Sequence, residues 1–246
     1  MTHATATEHR YGRTLIKAAV TGIVLVALLG LAGCSKGPGE ASAEVELSQA
    51  IREAIAKKRA PKPQPLQISR ALLDQLGQPH IEVTVESHDL TGYLGLVLTR
   101  QDDFPGEITV WRSSDNNSLA FRNGMLIASR GLGGNLLSAR VPAQNGIAGP
   151  ASDGARSYQL RTGDNAAGQI DLACELRDLG AEQLKIIGRS YATRHIQEYC
   201  EGAPQDGRPT VVVNDYWVDS RRDKVWKSRQ WAGPEIGYLR IRDLSS

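Results

Sequence analysis

The sequence predicts a mainly β protein, an antiparallel meander forming a sandwich or a barrel-like body, with one or two short helices on its N-terminal side. Two patterns predict this class. From His80 onward apolar and polar residues alternate, as in residues 81–86, and a period of two is typical of half-buried antiparallel strands. The dipeptide Asn123-Gly124 lies between two apolar segments and is a strong hairpin signal. We expect about nine strands.

The first 33 residues have the pattern of a bacterial lipoprotein signal peptide. Arg10, Arg13 and Lys17 precede an apolar stretch, residues 18–33, which ends in Leu-Ala-Gly directly before Cys34. Sixteen apolar residues are short for a membrane-spanning helix, which needs about 20. We therefore expect cleavage after residue 33 and a lipid on Cys34, with an uncleaved anchor helix as the alternative.

The segment after Cys34 predicts a tether and then helical structure. Residues 34–45 are small, polar and contain Gly and Pro, which is typical of a flexible linker. Residues 46–64 combine an amphipathic helix, with apolar residues four apart, and a proline-rich linker. A second short helix is expected between Ser69 as N-cap and Gly77 as the stop. The remaining residues, 65–246, form the predicted β-rich domain.

Further alternation and turn signals divide the β-rich domain into strands. Apolar residues alternate in 94–98, 170–176 and 239–241. The residues 145–157 are irregular and predict a mobile loop. Turns are expected at Ser113–Asn117, Gly163–Gly168, Asp178–Ala181 and Ser220–Asp223.

The charge of the predicted mature chain is balanced. The whole chain has 29 basic and 27 acidic residues. The predicted leader holds three of the basic and one of the acidic residues, so 26 of each remain. A neutral domain lacks the basic surface that nucleic-acid binders carry, and we expect no nucleic-acid partner.

Three cysteines are an odd number for an exported protein. Lipidation of Cys34 would account for one and leave Cys174 and Cys200 as a natural pair. Two such thiols in an oxidising periplasm form a disulfide by default, and two separate buried thiols are the alternative. A metal site is disfavoured, because the usual ligand spacing of paired cysteines and histidines is absent from the sequence.

Ser190 is the best candidate for a catalytic nucleophile. It lies in Gly188-Arg-Ser-Tyr-Ala192, after an apolar segment, which resembles the strand-to-helix turn that carries the nucleophile of serine hydrolases. The second glycine of that motif is replaced by Ala192. His195 is the only histidine downstream, although a catalytic histidine should follow well after the serine and an acid. We assign no residue to catalysis, to a metal or to a cofactor.

Aromatic residues are concentrated near the C-terminus. Trp217, Trp226 and Trp231 could offer flat faces to sugar rings, which would make the chain a glycan-binding module. The alternative is that they fill the interior of the β domain. Trp226 and Trp231 have opposite parity, so one regular strand cannot present both outward. Core packing is the favoured interpretation.

Several segments, in the same order along the chain, resemble the YjbF/GfcB-type lipoproteins linked to group 4 capsule and exopolysaccharide production. The resemblance covers most of residues 65–245 and includes the leader. It implies a β-rich accessory lipoprotein of the outer membrane with no established catalytic activity, and the cysteine pair fits the family pattern. The matching segments are Trp111–Asp115, Ser118–Leu119, Arg122–Gly124, Ala128–Gly133, Leu136–Ala139, Tyr216–Val218, Ser228–Trp231 and Gly233–Tyr238.

These observations together predict a lipid-anchored, non-catalytic accessory protein of exopolysaccharide or capsule export or assembly. We expect it at the outer membrane, facing the periplasm and attached through the lipid on Cys34. The expected partners are polysaccharide-export proteins or the polysaccharide. A periplasmic glycan-binding module is the first alternative and a serine-type hydrolase using Ser190 is the second.

Overall fold

A computed structural model describes residues 68–134, 136–161, 167–205, 208–219 and 221–245. The predicted signal peptide (1–33), the tether (34–45) and the helix with its proline-rich linker (46–64) lie outside these residues. The predicted turn at 163–168 lies mostly outside them as well.

One helix precedes the strands. Helix α1, Arg70–Leu76, begins where the Ser69 hydroxyl accepts the backbone N–H of Leu72 at 3.2 Å, as expected of an N-cap serine. It ends at Gly77, which adopts the left-handed conformation with φ of 65°. The predicted second helix is therefore confirmed at both ends. Within the described ranges, no helix has the length and apolar character needed to span a membrane.

Twelve strands follow, where the sequence predicted about nine. A short 3-10 turn, Glu86–His88, separates the first two strands. The strands are β1 (His80–Val85), β2 (Leu90–Arg100), β3 (Ile108–Arg112), β4 (Ser118–Arg122), β5 (Met125–Arg130), β6 (Leu136–Arg140), β7 (Gly154–Arg161), β8 (Ala167–Ile186), β9 (Arg189–Gln205), β10 (Arg208–Asp219), β11 (Lys224–Trp231) and β12 (Tyr238–Asp243).

All twelve strands belong to one antiparallel sheet with meander order. Strands that are consecutive along the chain pair with each other except for β5 and β6, which are the two edges of the sheet, and β1 also pairs with β12. The two edges lie close together, because the backbone N–H of Leu136 in β6 donates to the hydroxyl of Ser129 in β5 at 3.1 Å. The sheet thus curls into a nearly closed barrel. The barrel-like alternative is confirmed over the sandwich.

The hairpin predicted at Asn123-Gly124 joins β4 to β5. Both residues have positive φ, 48° and 82°, which is the backbone that a tight two-residue turn between twisted strands requires. The side chain of Asn123 adds contacts of its own: Oδ1 accepts the N–H of Glu107, and Nδ2 donates to the carbonyls of Gln144 and Ile147. This hairpin therefore also positions two neighbouring loops.

Of two predictions about irregular segments, one was wrong and the other was correct only in part. Asp178–Ala181 is not a turn but lies inside β8, where a bulge between Asp178 and Gly180 absorbs the turn-prone residues while pairing with β9 continues on both sides. The loop predicted at 145–157 is shorter, because β7 begins at Gly154. Strand pairing at a distance overrode the local signal in both places.

Candidate functional site

The lumen of the barrel is open at one end, where it forms a cavity of about 510 Å³. The rim is built by seven chain segments that reach this end: the starts of β1 and β3, the ends of β2 and β12, the β4–β5 turn, the β6–β7 loop and the β10–β11 turn. The volume lies within the range of about 300–1,000 Å³ that is usual for small-molecule sites. This cavity is the candidate functional site.

Apolar side chains line the upper walls of the cavity. Ile81 of β1, Leu96 of β2, Trp111 of β3, Phe121 of β4 and Ile241 of β12 all border it. Their inward direction follows from the strand period of two together with the register, which sets Leu96 opposite Trp111. Two aromatic rings thus face the same space as three aliphatic chains.

Polar groups form the floor of the cavity. Ser228 of β11 borders the cavity and is only 2% exposed, and its Oγ accepts the Nε2–H of Gln230 at 2.9 Å. The same Nε2 donates to the carbonyl of Gly124 at 2.8 Å, and Gln230 Oε1 accepts the N–H of Leu126 at 2.7 Å. Gln230 therefore fixes the position of the Ser228 side chain relative to the β4–β5 turn.

Beneath the floor the network continues to a buried ion pair. Tyr216 donates its hydroxyl to Gln230 Oε1 at 3.2 Å and accepts from Arg156 Nη2 at 2.8 Å. Arg156 Nε donates to Glu198 at 2.7 Å, and the side chains of this pair are 1% and 0% exposed. Asn214 Nδ2 donates to the second oxygen of Glu198 at 3.0 Å. The lower lumen is therefore filled, and the cavity is closed from below.

Interactions with neighbouring groups keep Arg156 charged although it is buried. Burial alone opposes the charge of Arg156, but the Coulomb interaction and hydrogen bond with Glu198 help to raise the pKa of the guanidinium well above its ordinary value. Burial also raises the pKa of the Tyr216 phenol well above its ordinary value. Tyr216 is thus a neutral phenol, and its hydroxyl links the ion pair to Gln230 by accepting from Arg156 and donating to Gln230.

The rim of the cavity is held by paired charges. Lys224 Nζ lies 3.1 Å from Asp243, which joins the β10–β11 turn to the end of β12. Arg122 makes two hydrogen bonds to Asp102, at 2.8 and 2.7 Å, and donates to the carbonyl of Gly106 at 3.1 Å. These hydrogen bonds to Arg122 are the main reason why the pKa of the Asp102 carboxyl is lowered to about 2. The loop between β2 and β3 is fixed in this way.

The predicted disulfide is present. Cys174 of β8 and Cys200 of β9 are direct cross-strand partners, are both buried and are bonded to each other. Among the described residues the one group with ligand-like spacing consists of these cysteines and Glu198. Its sulfurs are already joined to each other and its carboxylate is paired with Arg156, so the structure gives no reason to place a metal there.

The three tryptophans considered for glycan stacking are enclosed to different degrees. Trp226 is 1% exposed and stacks on Tyr191 with centroids 3.8 Å apart, although it borders the cavity. Trp217 is 8% exposed and stacks on His195 at 4.2 Å. Trp231 is half-buried on the opposite parity and meets Tyr158 edge to face. These positions favour core packing, and stacking of a glycan on these three rings stays a prediction.

Ser190 and His195 are not brought together. They lie on the same extended strand, β9, five residues apart, which corresponds to about 16 Å. His195 Nε2 lies 2.8 Å from Asp215 Oδ1, and its ring packs on Trp217. In this arrangement His195 cannot act as the base for Ser190, so the geometry disfavours the hydrolase alternative.

The sequence analysis assigned no role to the polar residues of the cavity floor or to the ion pair beneath it. Arg156, Glu198, Ser228 and Gln230 were not singled out, although one signal was available. Trp226, Ser228 and Gln230 share one parity in β11, so a serine and a glutamine lie on the face of a buried tryptophan. Polar residues on a buried face indicate an internal hydrogen-bond network.

Comparison with known proteins identifies relatives of the chain. The model of a family described as group 4 capsule polysaccharide lipoprotein gfcB, YjbF matches residues 45–244. The uncharacterized lipoprotein GfcB of Escherichia coli (strain K12) is 32% identical over 137 residues, which are 53% of this chain and 61% of that protein. The chain thus matches about three fifths of the length of this curated relative.

A solved structure shares the fold. The crystal structure of the hypothetical lipoprotein YmcC from Escherichia coli (K12) superposes with a TM-score of 0.62 and 21% identity. The match covers 85% of this chain and 98% of that one. Since the family model spans residues 45–244, the chain belongs to the YjbF/GfcB family of group 4 capsule polysaccharide lipoproteins.

Proposed function

We propose that this chain is a lipid-anchored accessory protein of the outer membrane, facing the periplasm, that assists the export or assembly of capsule or exopolysaccharide without chemistry of its own. One observation carries the proposal: the capsule-lipoprotein family model matches residues 45–244, which follow a predicted leader, residues 1–33, that ends in Leu-Ala-Gly before Cys34.

The anchor in this proposal is a lipidated Cys34. Cleavage after residue 33 removes the signal peptide, and Cys34 then carries a diacylglyceryl group and an acyl chain, such as palmitate, on its new amino group. More than one buried acyl chain makes membrane attachment stable rather than marginal. The residue after the cysteine is Ser35. An aspartate at this position would favour retention in the inner membrane, so the serine is compatible with transfer to the outer membrane. The tether, 34–45, and the helix and linker, 46–64, then separate the lipid from the β-rich domain.

The described domain supports a binding role in an oxidising compartment. A buried Cys174–Cys200 disulfide fits the periplasm. The cavity offers a preformed space on a rigid scaffold, whereas Ser190 lies about 16 Å along β9 from His195, the histidine considered as its base. Polysaccharide-export proteins or the polysaccharide are the proposed partners.

A deletion strain complemented with variants tests this function. Surface polysaccharide is quantified in the deletion strain, with the wild-type chain and with Cys34→Ser. We expect loss of polysaccharide on deletion, restoration by wild type and little restoration by Cys34→Ser, because the untethered domain is diluted away from the membrane. Labelling with radioactive palmitate should mark the wild-type chain and not the variant.

Two controls make the outcome decisive. Immunoblots must show that Cys34→Ser is exported and stable. A Ser190→Ala variant should restore polysaccharide fully if the role is non-catalytic. Unchanged polysaccharide on deletion would rule out a role in export or assembly, and failure of Ser190→Ala to restore it would return the hydrolase alternative.

A further inference from the structure

We infer that the cavity at the open end of the barrel binds a sugar unit at the end or at a side branch of a glycan chain. The inference rests on the proposed function, because it names the ligand that the accessory protein would hold.

Two hydroxyl groups in the cavity have a proton left to donate. Ser228 Oγ accepts the N–H of Gln230 at 2.9 Å, and Thr109 Oγ1 accepts the Nε1–H of Trp111 at 3.0 Å. Neither hydroxyl donates a hydrogen bond to another described residue. A buried hydroxyl that cannot donate is costly, and Ser228 is almost fully buried. A ligand with several hydroxyl oxygens would accept from both groups.

The apolar lining complements the rest of a sugar ring. Trp111 and Phe121 border the same cavity as Thr109 and Ser228. They are 6% and 4% exposed, so each ring offers a ligand only the small part of its surface that faces the cavity. One face of a pyranose ring carries C–H groups and packs against aromatic carbon, while its edge carries hydroxyls. Flat apolar groups beside hydrogen-bonding groups are therefore the pair of features that a sugar ring uses.

The polar groups argue against an acyl chain as the ligand. An alkyl chain in this cavity would cover Ser228 and Thr109 without accepting their protons, which costs free energy for each group. Gln101, Glu107 and Asn145 line the cavity as well. Acidic and basic residues both border the cavity, and Lys224 is already paired with Asp243.

The closed floor determines which part of a glycan can enter. Below Ser228 the lumen is filled by Gln230, Tyr216 and Leu126, each at most 1% exposed. A continuous chain cannot pass through, whereas a terminal or branching sugar can enter from the open end. Because Gln230 holds the floor through four hydrogen bonds, little ordering is needed on binding.

Calorimetry on the full-length protein, purified in detergent from membranes, tests the inference. The probes are the exopolysaccharide of a producing strain and the oligosaccharides released from it by mild acid hydrolysis. We expect the oligosaccharides to bind. For the intact polymer, the number of protein molecules bound should be proportional to the number of chain ends or branches and not to the polymer mass. Ser228→Ala should weaken binding about tenfold, the effect of one lost hydrogen bond.

Two further variants locate the binding. Gln101→Trp, at an exposed position on the rim, should block the cavity and abolish binding while leaving the thermal unfolding midpoint close to that of the wild type. Ser138→Ala, on an exposed position of β6, is the matched control and should bind as the wild type does.

Three results would overturn the inference. The first is that neither probe binds. The second is that the probes bind but that neither Ser228→Ala nor Gln101→Trp changes the affinity. The third is that the cavity binds a fluorescent fatty acid in preference to the oligosaccharides. Each leaves the outcome of the Cys34→Ser complementation unaffected, so failure of the sugar site is distinguishable from failure of the export role.

Discussion

The two halves of the barrel lumen differ in how completely their polar side chains are hydrogen-bonded. The filled half surrounds Arg156 and Glu198, and the hollow half is the cavity bordered by Ser228 and Thr109. In the filled half, Arg156 and Glu198 are fully enclosed and each is bonded to several partners. In the hollow half, Ser228 and Thr109 each accept one hydrogen bond and donate none to a described residue. The filled half therefore supplies rigidity, because its polar groups are hydrogen-bonded to one another. The hollow half retains hydroxyl groups that can still donate to a ligand.

The largest expected effect comes from breaking the ion pair of the filled half. Arg156→Ala leaves the Glu198 carboxylate buried without its cation, and loss of one partner of a buried pair costs about 3–5 kcal/mol of unfolding free energy. Urea denaturation measures it. Arg177→Ala, which removes an exposed pair with Glu175, is the control and should cost less than about 1 kcal/mol.

A double replacement sharpens this prediction. Arg156→Met together with Glu198→Leu removes both charges and should recover most of the loss, since apolar side chains often replace buried pairs without cost. A single variant that loses less than about 1 kcal/mol would show that the pair does not stabilise the filled half.

Removal of the disulfide should cost slightly less. Cys174 and Cys200 are separated by 26 positions, and releasing a loop of that size costs about 3–4 kcal/mol in the chain-entropy model. Cys174→Ala/Cys200→Ala should therefore lower the unfolding free energy by this amount. Dithiothreitol should destabilise the wild type to the same degree and leave the double variant unchanged. Equal effects of dithiothreitol on both proteins would contradict the prediction.

A change in the hollow half should affect stability much less. Ser228→Ala removes one acceptor of Gln230, whose Nε2 still donates to Gly124. We expect a loss of about 1 kcal/mol or less in urea denaturation. A loss above about 2 kcal/mol would place Ser228 with the structural residues of the filled half and erase the contrast between the two halves.

The smallest expected effect is the acid dependence contributed by the rim. The pKa of Asp102 is lowered from 3.8 to about 2 in the folded protein, so the unfolded chain binds this proton at higher pH. The stability that the carboxylate contributes is complete above about pH 4 and is lost as the pH falls toward 2. Asp102→Asn should flatten the stability profile in this window only. NMR titration of the Asp102 carboxyl provides a direct check, and an unshifted midpoint would contradict it.

Local signals in the sequence were sufficient for the fold class and for several element boundaries. Ser69 and Gly77 bound helix α1, and Asn123-Gly124 forms a hairpin, because capping and tight turns depend on a few adjacent residues. The disulfide between Cys174 and Cys200 was expected because lipidation of Cys34 would leave these two cysteines in an oxidising compartment. The antiparallel meander follows from strands that alternate and that are joined by short turns, whereas the sequence left a sandwich and a barrel as alternatives.

The tertiary structure alone decided how far strands extend and what lies inside. Asp178–Ala181 has turn composition, but pairing between β8 and β9 carries the strand through it as a bulge. Arg156 and Glu198 lie 42 residues apart, and only closure of the sheet brings them together. The cavity exists because closure leaves one end of the lumen unfilled, which depends on the combined volume of side chains from distant strands and not on any local pattern.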